Sequence, residues 1–332
     1  GIAGSHIKGF NSHGVIAVKG GEVSPRDIER ALDAAKAVAI PLDREVIHIL
    51  PQEYIVDDQR GIADPMGMAG VRLEVKVHIV TGAVTSAQNI VRSCHKSGLD
   101  VSDIVLESLA SAKAVLTEEE REIGVALIDL GGGTCDIAIF ANDSIKHTGV
   151  LALGGQNLTN DIAFGLRTPM AAAEKIKIKH GAAIAEMVRP DEYIEVPSVG
   201  GREPRRLSRQ VLAEICEPRM EEILTLLDQE LVRSGLKNMI GAGVVLTGGT
   251  ALIQGCQELG EQVFNLPTRI GYPRNVGGLK DMVNSPKFAT AMGLLRFGAE
   301  KEGMEQKFRI RSDGNVFNSI LSRMKKWFSE IS

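Results

Sequence analysis

Residues 127–136 read Leu-Ile-Asp-Leu-Gly-Gly-Gly-Thr-Cys-Asp, and few local structures accommodate that run. An apolar strand, Val125 to Ile128, delivers Asp129 to its end. Gly131, Gly132 and Gly133 follow, then Thr134 and a second acid, Asp136, before an apolar strand resumes at Ile137–Phe140. Residues without side chains at a strand–turn–strand junction let backbone N–H groups close on phosphate oxygens that a Cβ would obstruct. Thr134 adds a hydroxyl donor. Carboxylates do not bind phosphate, so Asp129 and Asp136 read as holders of a Mg²⁺ ion that keeps most of its waters. Taken alone, the run is also compatible with a glycine-rich hairpin turn.

A second run narrows the choice. Residues 244–255, Val-Val-Leu-Thr-Gly-Gly-Thr-Ala-Leu-Ile-Gln-Gly, again carry an apolar strand into a Gly-Gly turn and a helix start. Gly248 and Gly249 let the backbone lie against a flat ring or an α-phosphate at a helix N-terminus. Neither run has the Lys-Ser or Lys-Thr of a Walker loop, and no G-x-G-x-x-G opens a helix. Two such turns predict a nucleotide clamped between two lobes of one α/β fold.

These residues resemble the superfamily of actin, heat-shock chaperones and sugar kinases. Asp129–Asp136 is similar to its second phosphate loop and Thr247-Gly248-Gly249 to its adenosine loop. Leu106-Glu107-Ser108-Leu109-Ala110-Ser111-Ala112 and Ser285-Pro286-Lys287-Phe288-Ala289-Thr290-Ala291-Met292-Gly293 look like its two connecting helices. By that resemblance Glu107 sits near the attacking water, and Glu174 and Lys177 of Ala173-Glu174-Lys175-Ile176-Lys177 touch the ribose. ATP with Mg²⁺ is the implied cofactor, with Glu107 and Asp129 as catalytic residues. Within the superfamily the closer resemblance is to the FtsA family of bacterial cell-division proteins. Ile47-His48-Ile49-Leu50-Pro51-Gln52-Glu53-Tyr54 and Gly70–His78 are similar to its inserted subdomain, and Val196–Arg202 and Glu217-Pro218-Arg219 to its later half. Family members begin with a D-x-G-T phosphate loop and further first-lobe elements. Here Gly1-Ile2-Ala3-Gly4-Ser5 opens the chain, and no Asp-x-Gly-Thr precedes Asp129.

The resemblance implies an actin-like two-lobed ATPase fold with an inserted small α+β subdomain, lacking its first strands, plus a C-terminal amphipathic helix. Residues 1–4 and 82–122 are assigned to the first lobe, and 5–81 to the inserted interaction subdomain. The second-lobe core with the nucleotide loops spans 123–165 and 241–298, a helical subdomain 166–240, a flexible tether 299–315 and a membrane-targeting helix 316–332. Local signals agree. Ser24-Pro25-Arg26-Asp27 is a helix start with a good N-cap, Pro at N1 and an acid in the first turn. Ile28, Leu32, Ala35, Val38 and Ala39 continue its stripe until Pro41. Strands are predicted at Val15–Val18, Val46–Leu50 and Leu73–Val80, a helix over Ser86–Lys96 and a short strand near Ile104. Pro218 should kink or restart the amphipathic run from Val211 to Val232.

At 332 residues and 44% hydrophobic, the chain can bury a large core. A net charge of −4 gives no global pointer to nucleic acid. Cys94, Cys135, Cys216 and Cys256 form no C-x-x-C pair, and the seven histidines form no H-E-x-x-H. No signal peptide is visible, nor a run of 18 apolar residues.

The C-terminal residues carry a different signature. After the polar stretch 299–315, Asn315 can cap a helix whose apolar residues include Phe317, Ile320, Leu321, Met324, Trp327 and Phe328. They fall within an arc of about 140° at ~100° per residue. Lys325 and Lys326 flank it, and from Met304 onward six Lys/Arg face three Asp/Glu. Apolar side chains at roughly 1.5–3 kcal/mol each outweigh basic groups at about 1 kcal/mol each near anionic headgroups. A helix of ~24 Å is too short to span, so this one is expected to lie in the membrane interface.

Two readings follow. In the first, the protein is an ATP-binding adaptor that polymerises as actin does. It binds the C-terminal tail peptide of FtsZ through residues 166–240, where Arg202, Arg205, Arg206 and Arg209 offer positive charge. It meets other division proteins through residues 5–81 and rests peripherally on the cytoplasmic face of the cell membrane at the division site. In the second it is a soluble kinase or chaperone-type ATPase of the same fold, which leaves the terminal helix without a use.

Overall fold

The computed structural model describes residues 1–200, 202–277 and 280–311. Elements are numbered in chain order. The first unit packs α1 (Pro25–Lys36) on an antiparallel sheet of β1 (Lys8–Ala17), β2 (Arg44–Val56), β3 (Gln59–Ile62) and β4 (Arg72–Ala83), in the order β1-β4-β2-β3. Helix α1 starts as its sequence predicts: the Ser24 hydroxyl accepts from the Asp27 N–H, and the Asp27 carboxylate accepts from the Ser24 N–H. It ends at Lys36, so Val38 and Ala39 fall beyond it. Ala31 and Ala35 are fully buried, and Gly14 lets the layers close: a Cβ there would lie 2.1 Å from the Ala31 carbonyl oxygen. Strand β1 begins well before the predicted Val15, because its ladder to β4 recruits Gly9, Asn11 and Ser12, residues of poor strand propensity. Strand β2 passes Pro51 by a register shift between Pro51 and Glu53.

Next come α2 (Val84–Lys96), α3 (Glu107–Val115) and α4 (Glu118–Ile123). The strand predicted near Ile104 is reduced to one parallel bridge, Ile2 with Leu106. A second sheet follows from β5 (Val125–Leu130), β6 (Cys135–Ala141) and β7 (Ser144–Leu151). Both β5 and β6 are buried at every residue, which their unbroken apolar runs require. Helices α5 (Gly155–Gly165) and α6 (Met170–His180), the hairpin β8 (Tyr193–Val196) and β9 (Arg205–Ser208), and α7 (Arg209–Arg233) form a largely helical region. Strands β10 (Val244–Thr247) and β11 (Thr268–Ile270) complete the second sheet in the order β11-β10-β5-β6-β7, with α8 (Cys256–Phe264) between them. Then come α9 (Lys280–Val283) and α10 (Ala289–Arg311).

Two sequence expectations need correction. Of the kink or restart expected at Pro218, the restart does not occur: α7 runs through that residue as one helix. Proline in a helix interior costs ~3 kcal/mol. Leu212, Cys216, Met220, Ile223, Leu227 and Leu231 are all fully buried on the core-facing side, and at roughly 1.5–3 kcal/mol for each large side chain their burial exceeds that cost. Helix α10 continues to Arg311, so residues 299–311, predicted as a tether, belong to a helix. They lack an apolar period but are rich in Glu, Lys, Gln and Arg, all strong helix formers. The amphipathic helix expected over 316–332, with Phe317, Ile320, Leu321, Met324, Lys325, Lys326, Trp327 and Phe328, lies outside the described residues. Among the described residues no helix is long and apolar enough to cross a membrane. The four cysteines are free; burial pushes Cys216 and Cys256 up to about 12 and Cys135 further, so these three stay protonated thiols.

The first sheet docks on the edge of the second through a polar seam. A register shift in the β6–β7 ladder pairs Ile139 with His147 but Phe140 with Ile145, so Lys146 bulges. Its carbonyl accepts from the Asn11 Nδ2 group at 3.3 Å, and Gln52 Nε2 donates to the Ile145 carbonyl at 2.7 Å. His78, 1% exposed, sits behind these contacts, with Nδ1 2.7 Å from Asn11 Oδ1 and Nε2 2.8 Å from Thr148 Oγ1. Asn11 Oδ1 can only accept, so Nδ1 carries the proton and the Thr148 hydroxyl donates to Nε2. Burial holds His78 down at about 4. The folded protein therefore binds fewer protons than the unfolded chain between about pH 6.5 and 4, and stability falls as pH drops through that window. From pH 7 to 5 the loss from this residue is about 2 kcal/mol. Urea unfolding at both pH values should show His78→Gln less stable than the parent at pH 7, with a smaller loss on acidification; an equal loss in both proteins would exclude the assignment.

Candidate functional site

The sheet register places the two acids. Strands β5 and β6 pair antiparallel with Asp129 directly opposite Asp136, on either side of the turn 131–134. Both are buried, at 8% and 3% exposure. Asp129 Oδ2 accepts from the Ser111 hydroxyl of α3 at 2.6 Å and from the Thr290 hydroxyl of α10 at 3.2 Å. Asp136 Oδ2 accepts from Thr134 Oγ1 at 3.0 Å, while its Oδ1 is buried without a partner. Burial, with the Asp129 and Glu107 charges adding to it, pushes the Asp136 carboxyl up to about 7. Burial first and Asp129 second raise Glu107, and burial raises Asp129.

The second turn abuts the first. Strand β10 runs parallel to β5 with Thr247 in register with Asp129. Gly248 follows at φ +87°, where a Cβ would be strained and would lie 2.4 Å from Asp129 Oδ1 and 2.5 Å from the Leu130 carbonyl oxygen. Thr250 Oγ1 donates to the Gly131 carbonyl at 2.9 Å, linking the two turns. A third glycine pair, Gly154-Gly155 at the start of α5, closes the arrangement. The Gly155 N–H donates to the Gly131 carbonyl and the Gln156 N–H to that of Gly132, at 2.9 and 2.7 Å. That pair escaped the sequence reading, although Val150-Leu151-Ala152-Leu153-Gly154-Gly155 repeats the signal of an apolar strand entering a Gly-Gly helix start. Ser111 and Thr290 escaped it too, because a lone hydroxyl in a helix has no distinguishing pattern.

Glu107, Asp129, Gly131, Gly132, Gly133, Thr134 and Asp136 come together around one cleft of ≈ 330 Å³, with Gly1, Ala3, Gly4 and Ile90 on its other wall. Glu174 and Lys177 lie on α6, away from that lining. The buried Lys177 ammonium donates to the Gly155 carbonyl at 3.0 Å and Thr159 Oγ1 at 2.9 Å, and pairs with Glu174 at 2.7 Å. It thereby braces the α5 N-terminus beneath the glycine turns. Gly249 lies beside Lys287. Among the described residues no three His, Cys, Asp or Glu groups converge to ligate a metal directly. Two facing carboxylates with an orphaned buried oxygen instead fit a divalent cation held through its own waters.

Known proteins match this architecture. A family model described as "Cell division protein FtsA" matches residues 126–293, and one described as "SHS2 domain inserted in FTSA" matches residues 4–81. The chain is 51% identical over 333 residues to the cell division protein FtsA of Pseudomonas aeruginosa, covering 98% of this chain and 79% of that one. To the Escherichia coli K12 cell division protein FtsA it is 41% identical, again over 98% and 79%. The chain belongs to the FtsA family. Among solved structures, MreB5 of Spiroplasma citri bound to ADP superposes with a TM-score of 0.52 at 20% identity, over 67% of this chain and 68% of that one. The PilM-PilN type IV pilus biogenesis complex gives 0.56 at 16% identity, over 87% and 76%. The FtsA-family chain thus has the actin-like α/β fold with an inserted subdomain, as its sequence implied, and a cell-division role.

The Asp136 geometry carries a test. Its folded carboxyl holds a proton up to about 7 against about 4 when unfolded, so the fold is progressively penalised as pH rises through that interval. Asp136→Asn removes the penalty. It should raise the thermal midpoint of the nucleotide-free protein at pH 8, with the gap closing as pH falls to 4. A variant less stable than its parent at pH 8 would show that the carboxylate is already compensated.

Proposed function

We propose that this FtsA-family protein is an ATP-binding, actin-like membrane adaptor that ties FtsZ filaments to the cytoplasmic membrane at the division site. The observation that carries the nucleotide half is the cleft lined by Gly131–Gly133 and two facing carboxylates, with two further glycine turns packed directly against the first. Backbone N–H groups of Gly131–Gly133 and the Thr134 hydroxyl suit phosphate oxygens. The backbone at Gly248 and Gly249 suits the adenosine end. Asp129 and Asp136 would hold Mg²⁺ through water, and that ion supplies neutralisation of the phosphate charge. Glu107, with its proton affinity raised, suits the orientation of an attacking water and slow hydrolysis. Related folds are recorded with ADP and with AMPPNP, in MreB5.

The partner half rests on family membership and on surface chemistry. Arg205 and Arg206 stand on β9, with Arg206 stacked 4.3 Å over the Tyr193 ring, beside Arg202. An acidic FtsZ tail would meet these residues. Arg209 is already spent on Glu192 at 2.5 Å and the His180 carbonyl, so it braces the surface instead. Residues 5–81 would contact other division proteins, the chain would polymerise with itself, and residues 316–332 would bind the lipid surface.

Two measurements decide this reading. Titration with a fluorescent ADP should show binding that tightens severalfold with Mg²⁺; no binding would end the nucleotide assignment. Co-sedimentation with anionic vesicles should be lost on removing residues 316–332, while an FtsZ tail peptide stays with the truncated protein. Undiminished vesicle binding after the truncation would refute the anchor.

A further inference from the structure

Helices α3 and α10 cross at their closest point where Gly293 meets Ala110: a Cβ on Gly293 would lie 1.8 Å from the Ala110 carbonyl oxygen. Beside that contact, three oxygens form a closed triangle. Ser111 Oγ lies 2.6 Å from Asp129 Oδ2, Thr290 Oγ1 lies 3.2 Å from the same oxygen, and the two hydroxyls are 2.9 Å apart. Ser111 is fully buried. Each hydroxyl has one hydrogen. The short contact assigns that of Ser111 to the carboxylate, which leaves the Thr290 hydrogen two acceptors: Asp129 Oδ2 and Ser111 Oγ. The other carboxylate oxygen, Oδ1, is the one turned toward Gly248.

We propose that Ser111 and Thr290 are positioning residues that seat the Asp129 carboxylate and couple its occupancy to the α3–α10 crossing; the coupling rests on the nucleotide reading given above. With no cation, Asp129 draws both hydrogens and ties β5 to both helices. When a cation draws charge from the carboxylate, the Thr290 hydrogen turns to Ser111 Oγ, so α10 is joined to α3 and released from β5. Glu107 lies one turn before Ser111 on α3, a spacing that puts both on one helix face. The same exchange of partners therefore reaches the residue placed at the attacking water. A buried pair of hydroxyls with only a packing role would stabilise the fold without responding to the cation.

Hydrogen exchange on the full chain separates these cases, with ADP as probe and three conditions: no ligand, ADP with chelator, and ADP with Mg²⁺. Without ligand, Ser111→Ala/Thr290→Val should exchange about tenfold faster than the parent in both α3 and α10, as expected for lost hydrogen bonds to a buried carboxylate. In the parent, Mg²⁺ added to the ADP complex should change exchange in both helices. Thr290→Ser should retain that response and Thr290→Val should lose it. Unchanged ligand-free exchange in the double variant overturns the seat, and a Mg²⁺ response preserved in Thr290→Val overturns the coupling. If fluorescent ADP does not bind the parent, the nucleotide reading falls and takes the coupling with it, while ligand-free exchange still decides the seat. Should the double variant not fold, the Thr290→Val and Thr290→Ser pair makes both comparisons.

Discussion

Two buried carboxylates face each other across an antiparallel strand pair, and much of the structure is arranged around that like-charge contact. Cross-strand partners sit about 5 Å apart, and like charges directly opposite destabilise a sheet. Burial adds a desolvation penalty to both. The protein meets this with short hydroxyl side chains: Ser111 and Thr290 on Asp129, Thr134 on Asp136. None of these donors carries a positive charge. The arrangement therefore meets the two acids without a counter-ion: Asp136 holds its proton up to about 7, and one of its carboxyl oxygens is left with no partner. An ion pair at the same place would have been easier to bury and would have closed the site to an incoming cation.

The platform beneath the acids explains how such a contact persists. Strands β5 and β6 are buried along their whole length, so Asp129 and Asp136 cannot escape by strand slippage without turning an apolar face outward. The loops are held by backbone: Gly155 and Gln156 donate to the carbonyls of Gly131 and Gly132, and Gly248 occupies a space that no other residue fits. At the far edge of this sheet, the bulge at Lys146 gives the inserted subdomain carbonyls to bind. That contact also covers an edge strand that would otherwise offer unpaired groups.

The sequence was most legible where geometry demands glycine. Gly131 and Gly248 stand where a Cβ would collide with neighbouring atoms, Gly132 and Gly133 open onto free space, and the strands feeding both turns are apolar up to Asp129 and Thr247. The N-cap at Ser24, which starts α1, was likewise a local matter, whereas α2 begins two residues before the predicted Ser86, with no side-chain cap. What could not be read depends on tertiary contacts. The outer half of β1 is a strand only because β4 lies beside it, α7 outlasts Pro218 only because its stripe is buried, and the register that sets Asp129 opposite Asp136 follows from the turn geometry. Ser111, Thr290 and His78 acquire meaning only from partners 18, 161 and 70 residues away. The run 299–311 was read as a tether because its sequence, rich in Glu, Lys, Gln and Arg, has no apolar period.

The charge pattern also limits what the cleft can accept. Its lining combines backbone N–H groups, which attract anions, with Glu107, Asp129 and Asp136, which repel them. At an effective dielectric of about 20, unit charges 5 Å apart interact with about 3 kcal/mol, so a bare polyanion set against these acids would lose much of what the glycine amides provide. A cation alone would fare little better, because among the described residues no three such groups converge on a direct ligand set. The two together would reverse both signs: the cation would satisfy the carboxylates and the amides the anion. On the nucleotide reading proposed above, such a site would bind its two components cooperatively, its affinity for either depending on the other.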